Sequence, residues 1–198
     1  MHSQESDPMI ERAVASDNPY TAIALTLVHT SLQRGERIRL PVSGFSMAPL
    51  LQPGDVVWME QSDPGVLSRG AIVVVYHGGC LLTHRLVAVD AQGWHTKGDN
   101  NPQADSPVAG EAIQGRIVTI ERSGTSIDMQ RQPWPSVNWL LGQLGWLQIR
   151  SAHARLYWLR RSPRAFERLL TYLEVVSFRL VVRALVAGAL RCSTGRSC

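Results

Sequence analysis

Lysine is almost missing from this chain: of its 20 basic residues, all but Lys97 are arginine. Genomic base composition is the ordinary cause. The scarcity still matters chemically, because a mechanism that needs a lysine has one position to draw on. Cysteine is scarce too. Cys80, Cys192 and Cys198 are too few and too unevenly spaced for a disulfide framework or a zinc site. A Cys192–Cys198 link is conceivable, but free thiols in a reducing compartment are the expectation, and no metal or cofactor is expected.

Long apolar runs are lacking as well. "MHSQESDPMIERAVASDNP" is polar and acidic, without the basic start and apolar run of a signal peptide. "TAIALTLVHTSLQ" is too short and too polar to span a bilayer. Residues 169–190 are apolar enough to raise the membrane question, yet Glu174, Arg179 and Arg183 interrupt them, and charge at mid-span is expensive. At 100° per residue, Arg164, Arg168, Arg179 and Arg183 share one arc of roughly 100°. That stripe suits a helix lying in a membrane interface, or a helix packed on the body with its arginines in water. The expected location is therefore peripheral to a membrane or cytoplasmic.

What is present is an ordinary globular composition, 44% hydrophobic and 18% charged, so wholesale disorder is excluded. The net charge of +4 is unevenly spread: residues 1–130 hold 9 basic against 14 acidic residues (−5), and residues 131–198 hold 11 against 2 (+9). A basic tail on an acidic body points to an anionic partner. The expected one is an anionic membrane surface met through residues 162–198, with no nucleic acid.

Turn residues divide the chain. Residues 1–18 read as a flexible leader, and "NPYTAIALTLVHTSLQRGE" as a short helix stopped by Gly35. "RIRLPVSG", "DVVWMEQ", "AIVVVYH", "LLTHRLVAVD", "GWHTKGD" and "AIQGRIVTIER" then alternate with Gly-, Pro- and Asp-rich turns. Six strands at this spacing predict a mainly β fold, a small coiled antiparallel barrel or sandwich. With the short helix, the strands make one β domain over residues 19–130. Residues 131–198 read as a basic helical appendage, its second helix started by Ser162–Pro163.

The stretch "VSGFSMAPLL" places Ser46 between a glycine turn and a Met-x-Pro. Turn chemistry alone accounts for such a serine; a nucleophile there requires a base and a group to orient it. His84, inside the apolar run "LLTHRLVAV", is one base, although a lone strand histidine is commonly structural. Asp99 and Asp105 in "TKGDNNPQADS" are the acids at hand, and Asp99 could equally bond its own turn. Ser46–His84–Asp105 is thus one of several triads the residues permit.

"GFSMAPLLQPGDVV", "RGAIVVV", "THRLVAV" and "TKGDNNPQADS" stand in the order of the motifs of type I signal peptidases, and the chain resembles their archaeal and endoplasmic-reticulum branch over residues 40–120. The resemblance implies the LexA/signal-peptidase fold, with Ser46 as nucleophile, His84 as base and Asp105 as the triad's acid. Asp99 and Lys97 are implied to support the loop, which leaves no lysine for a Ser–Lys dyad. Gly44, two residues before the nucleophile, stands where many bacterial relatives have a hydroxyl, so the oxyanion would rest on backbone N–H groups. Met47 would form an apolar floor or simply fill the core.

The expected function is a serine endopeptidase of signal-peptidase type, acting through an acyl-enzyme on a peptide or preprotein substrate. Two alternatives stand beside it. One is a LexA-like self-cleaving regulator, which lacks room for a DNA-binding module in the acidic stretch before the first strand. The other is a non-catalytic peptide-binding or membrane-docking module.

Overall fold

The computed structural model describes residues 19–158 and 164–193. The expected leader, the Ser162–Pro163 helix start, the side chains of Arg164 and Arg168, and Cys198 lie outside what it describes. Helix α1, Pro19–Gln33, opens on a proline whose missing N–H costs nothing in a first turn. It ends where Gly35 takes φ +75° and its N–H donates to the Leu32 carbonyl at 2.9 Å.

Seven strands follow: β1 Ile38–Pro41, β2 Val56–Glu60, β3 Ile72–His77, β4 Cys80–Asp90, β5 Gly93–Lys97, β6 Ile113–Arg122 and β7 Thr125–Asp128. They form one antiparallel sheet in the order β1-β2-β6-β3-β4-β5, with β7 paired to β6. Strand β6 is long enough to pair with β3 through residues 113–116 and with β7 through residues 119–122. Among the described residues two helices follow, α2 Trp134–Trp158 and α3 Arg164–Ser193.

The expected mainly β barrel or sandwich is corrected on two points. The fold is mixed α/β, the three helices holding more residues than the seven strands. The sheet is open, with β1 and β5 at its two ends. The physical reason lies at the outer edge of β5. There Trp94 exchanges backbone hydrogen bonds with Val108 at 2.9 and 3.0 Å, and the Asp105 N–H donates to the Thr96 carbonyl at 2.9 Å. An edge satisfied by a connecting segment has no call for a closing strand.

The two faces of the sheet carry different loads. Successive strand residues point to opposite sides, so His84 and Arg85 face apart. On the Arg85 side, Ile72 and Val74 join the main core with Met59, Ile120, Trp134 and Leu141. On the His84 side, Val73 and Val75 make a smaller cluster with Val108 and Ile113. Helix α2 lies directly on the turn before β3: a Cβ at Gly70, where φ is +100°, would stand 2.2 Å from the Asn138 carbonyl oxygen.

Helix α3 buries Val182, Val186 and Ala189 in the main core while Leu173, Leu180 and Val181 stay exposed. Each buried valine is worth about 1.5 kcal/mol or more, so the arrangement is the packed one, with Arg179 and Arg183 exposed. Among the described residues, no helix is long and apolar enough to cross a membrane. Cys80 is a free thiol, but Cys192 is disulfide-bonded, contrary to the expectation of free thiols.

Candidate functional site

Ser46 sits in the turn between β1 and β2, and that turn is held from two sides. From below, Met47, Leu50 and Leu51 are each at most 2% exposed and belong to the main core; Met47 is core filler here. From above, the Asn100 N–H donates to the Ser46 carbonyl at 2.7 Å, and the Asn100 side-chain amide donates to the Phe45 carbonyl at 3.3 Å. Ser46 itself is half-buried, beside an exposed Phe45. A Cβ at Gly44 would meet nothing within 4 Å, so packing does not demand glycine there.

Strand β4 delivers His84, which is 5% exposed. Its Nδ1 lies 2.6 Å from Asp105 Oδ2 and its Nε2 lies 3.0 Å from Ser46 Oγ. A carboxylate only accepts, so Nδ1 carries the proton and Nε2 accepts the Ser46 O–H. Asp105 is brought in by the segment that caps β5. Its Oδ2 accepts a second hydrogen bond at 2.6 Å from Thr96 Oγ1. Residues far apart in the chain thus form one hydrogen-bonded line, from Thr96 and Asp105 through His84 to Ser46.

Asp99 has a different partner. It is 4% exposed and accepts two hydrogen bonds from Arg85, Nε to Oδ1 and NH2 to Oδ2, both at 2.7 Å. Arg85, 1% exposed, spends NH1 on the Gly70 carbonyl at 2.8 Å and the Asn138 side-chain oxygen at 2.9 Å. This fork ties the loop 97–100 to β4, β3 and α2. Arg85 follows His84 in "LLTHRLVAV" and was assigned no role from sequence. The missed signal was a guanidinium in an apolar strand, which must find a buried acid.

Lys97 is 1% exposed, donates to the Gly98 carbonyl at 3.1 Å, and lies 4.4 Å from the ring centre of Phe178 on α3. Beside it, Arg179 donates to the Asn100 carbonyl at 3.2 Å. Burial pushes the Lys97 pKa down from 10.5 to about 8; Asp99 and Asp105 pull it up, and Arg85 and Arg179 push it further down. Between pH 8 and 10.5 the unfolded chain holds a proton that the folded chain has released, so stability rises with pH across that window. Below pH 8 Lys97 is charged in both states and the burial penalty is complete. Lys97→Met should lack that rise, so urea unfolding of both proteins at pH 7.5 and pH 10 should show the variant's relative advantage shrinking at the higher pH.

Gly98 packs against the serine. A Cβ there would lie 2.7 Å from the Ser46 carbonyl oxygen and 3.0 Å from Ser46 Cβ. Gly98→Ala must therefore move the Ser46 backbone or the loop. A shift of about an ångström at a reacting atom costs about 10²-fold in rate, so acylation of Ser46 should slow by that order; an unchanged rate would show the serine is not held from this side.

Two clefts, about 520 and 820 Å³, lie away from Ser46. Ala88, Asp90, His95, Trp146 and Arg150 help to line the first, and His29, Asp63 and Glu111 the second.

No protein family, curated protein or solved structure matches the chain. The expected membership in the type I signal peptidases, with its LexA-type fold, is corrected on this finding and on the open sheet with three helices. The serine endopeptidase took its peptide or preprotein substrate from that resemblance, and it falls with it. The LexA-like regulator assumed the same fold and falls too. Protease and membrane assignments are left without support.

Proposed function

We propose that Ser46 is an activated nucleophile that takes up an acyl group from a carbonyl compound bearing a leaving group. The observation that carries this reading is the line Ser46 Oγ–His84 Nε2–His84 Nδ1–Asp105 Oδ2, at 3.0 and 2.6 Å. His84 Nε2 takes the Ser46 proton as Oγ bonds to the carbonyl carbon, and Asp105 fixes the tautomer and offsets the imidazolium charge. Collapse of the tetrahedral species expels the leaving group with the proton from His84, leaving an ester on Ser46. Water then repeats the sequence and frees the serine. The negative oxygen falls to backbone N–H donors, that of Ser46 first.

Phe45, 64% exposed beside the serine, offers an apolar surface to the acyl chain. The reading makes no use of peptide specificity, and Asp99 and Lys97 act in it only by holding the loop. Release of p-nitrophenol from short-chain p-nitrophenyl esters tests it. The wild-type chain should turn these esters over and Ser46→Ala should not; equal turnover by the two would contradict the proposal.

A further inference from the structure

Asp105 Oδ2 accepts two hydrogen bonds at 2.6 Å, one from His84 Nδ1 and one from Thr96 Oγ1. The Thr96 distance fits a charge-assisted O–H bond to a carboxylate, and the His84 bond is at the short end for an N–H donor. Thr96 is 2% exposed, and its carbonyl also accepts the Asp105 N–H at 2.9 Å. Asp105 is therefore gripped at its backbone and at its reactive oxygen by one residue of β5. Apart from these contacts it stands at the border of solvent, with its side chain 21% exposed. An aspartate there has competing rotamers and water partners, and only some of those rotamers reach His84.

We infer that Thr96 is a positioning residue for the Ser46 site, holding Asp105 in the one rotamer that meets His84; this rests on the acyl-acceptor reading above. The register explains how β5 supplies it. Thr96 pairs with Leu86, two residues beyond His84 on β4 and on the same face. Its hydroxyl therefore emerges beside the imidazole, while Lys97, one residue on, points to the opposite face and Phe178. A hydroxyl donor also competes with water for Oδ2 without contributing charge, so the imidazolium that forms during acylation keeps its full counterion.

The test replaces only the O–H. Thr96→Val keeps the shape and the strand preference, and Thr96→Ser restores the donor. The second-order rate of Ser46 modification by a fluorophosphonate should fall about 10-fold in Thr96→Val, part of the 10²-fold that misplacement of a catalytic group costs, and recover in Thr96→Ser. On an Asp105→Asn background the same valine should cost nothing more, because the two changes break one link. A wild-type rate in Thr96→Val overturns the inference, and so does an equal loss on both backgrounds.

A second readout separates this inference from the reading beneath it. The His84 Nδ1 proton in the imidazole NMR spectrum should be protected from exchange in the wild type and exposed in Thr96→Val. If the probe leaves Ser46 unmodified while that proton still responds to the valine, the acyl-acceptor reading has failed and the positioning contact stands. If the proton does not respond, the positioning contact itself is refuted.

Discussion

Arg85→Met should destabilise the chain by about 3–5 kcal/mol, the usual cost of removing one partner from a buried ion pair. Domains of this size are stable by only about 5–15 kcal/mol in total, so the variant should sit near the threshold of folding. The reason is what remains. Asp99, 4% exposed, would be left buried with neither of its two 2.7 Å donors. Asp99→Leu should be costly as well, because it leaves the guanidinium buried without a counterion; a carboxylate that merely closed a turn would cost less. The double variant Arg85→Met/Asp99→Leu should be more stable than either single one, since an apolar pair can replace a buried ion pair at little net cost. Urea denaturation of the four proteins decides it. Additive losses would mean that the fork is not the source of the penalty.

His84→Ala should slow fluorophosphonate modification of Ser46 by at least about 10³-fold, equivalent to about 4 kcal/mol of barrier. Among the described residues His84 is the only imidazole bonded to the serine, with Nε2 at 3.0 Å. Asp105→Asn should lose roughly 10³–10⁴-fold, because an amide donating to Nδ1 selects the wrong tautomer. Its melting temperature should change little, the Asp105 side chain being partly in water. The two acids are thus separated by experiment: Asp105 changes rate and Asp99 changes stability. The reverse pattern would exchange their roles.

Much of the local structure was legible because turn chemistry is local. Gly35, the "HGG" turn and "DAQG" end elements where the sequence places them. Strand β7, "TSID", went unread because four residues after a polar turn give too little alternation to register. Closure of the sheet was not legible at all. It depends on whether the outer edge of β5 is free, and the residues that occupy it, Asp105 to Val108, lie in a loop whose composition gives no sign of strand-like pairing.

The site divides in the same way. Ser46, His84 and Asp105 stood out as residue types suited to one chemistry, but nothing in their spacing shows that the fold brings Ser46 and Asp105 each within 3.0 Å of His84. Thr96 gave no signal, since a threonine in a strand is ordinary until its register is known. For α3 the arginine stripe was visible and its consequence was not. Val182, Val186 and Ala189, which share or border the stripe's own arc, are buried in the protein's own core and decide where the helix goes.

The most direct measurement is the location of a covalent adduct. The intact chain is treated with a fluorophosphonate, digested, and mapped by mass spectrometry, alongside His84→Ala. Activation of Ser46 by His84 predicts one adduct, on Ser46, formed in the wild type and nearly absent from the variant over the same time. Adducts scattered over other hydroxyls, or equal modification of Ser46 in the two proteins, would contradict it.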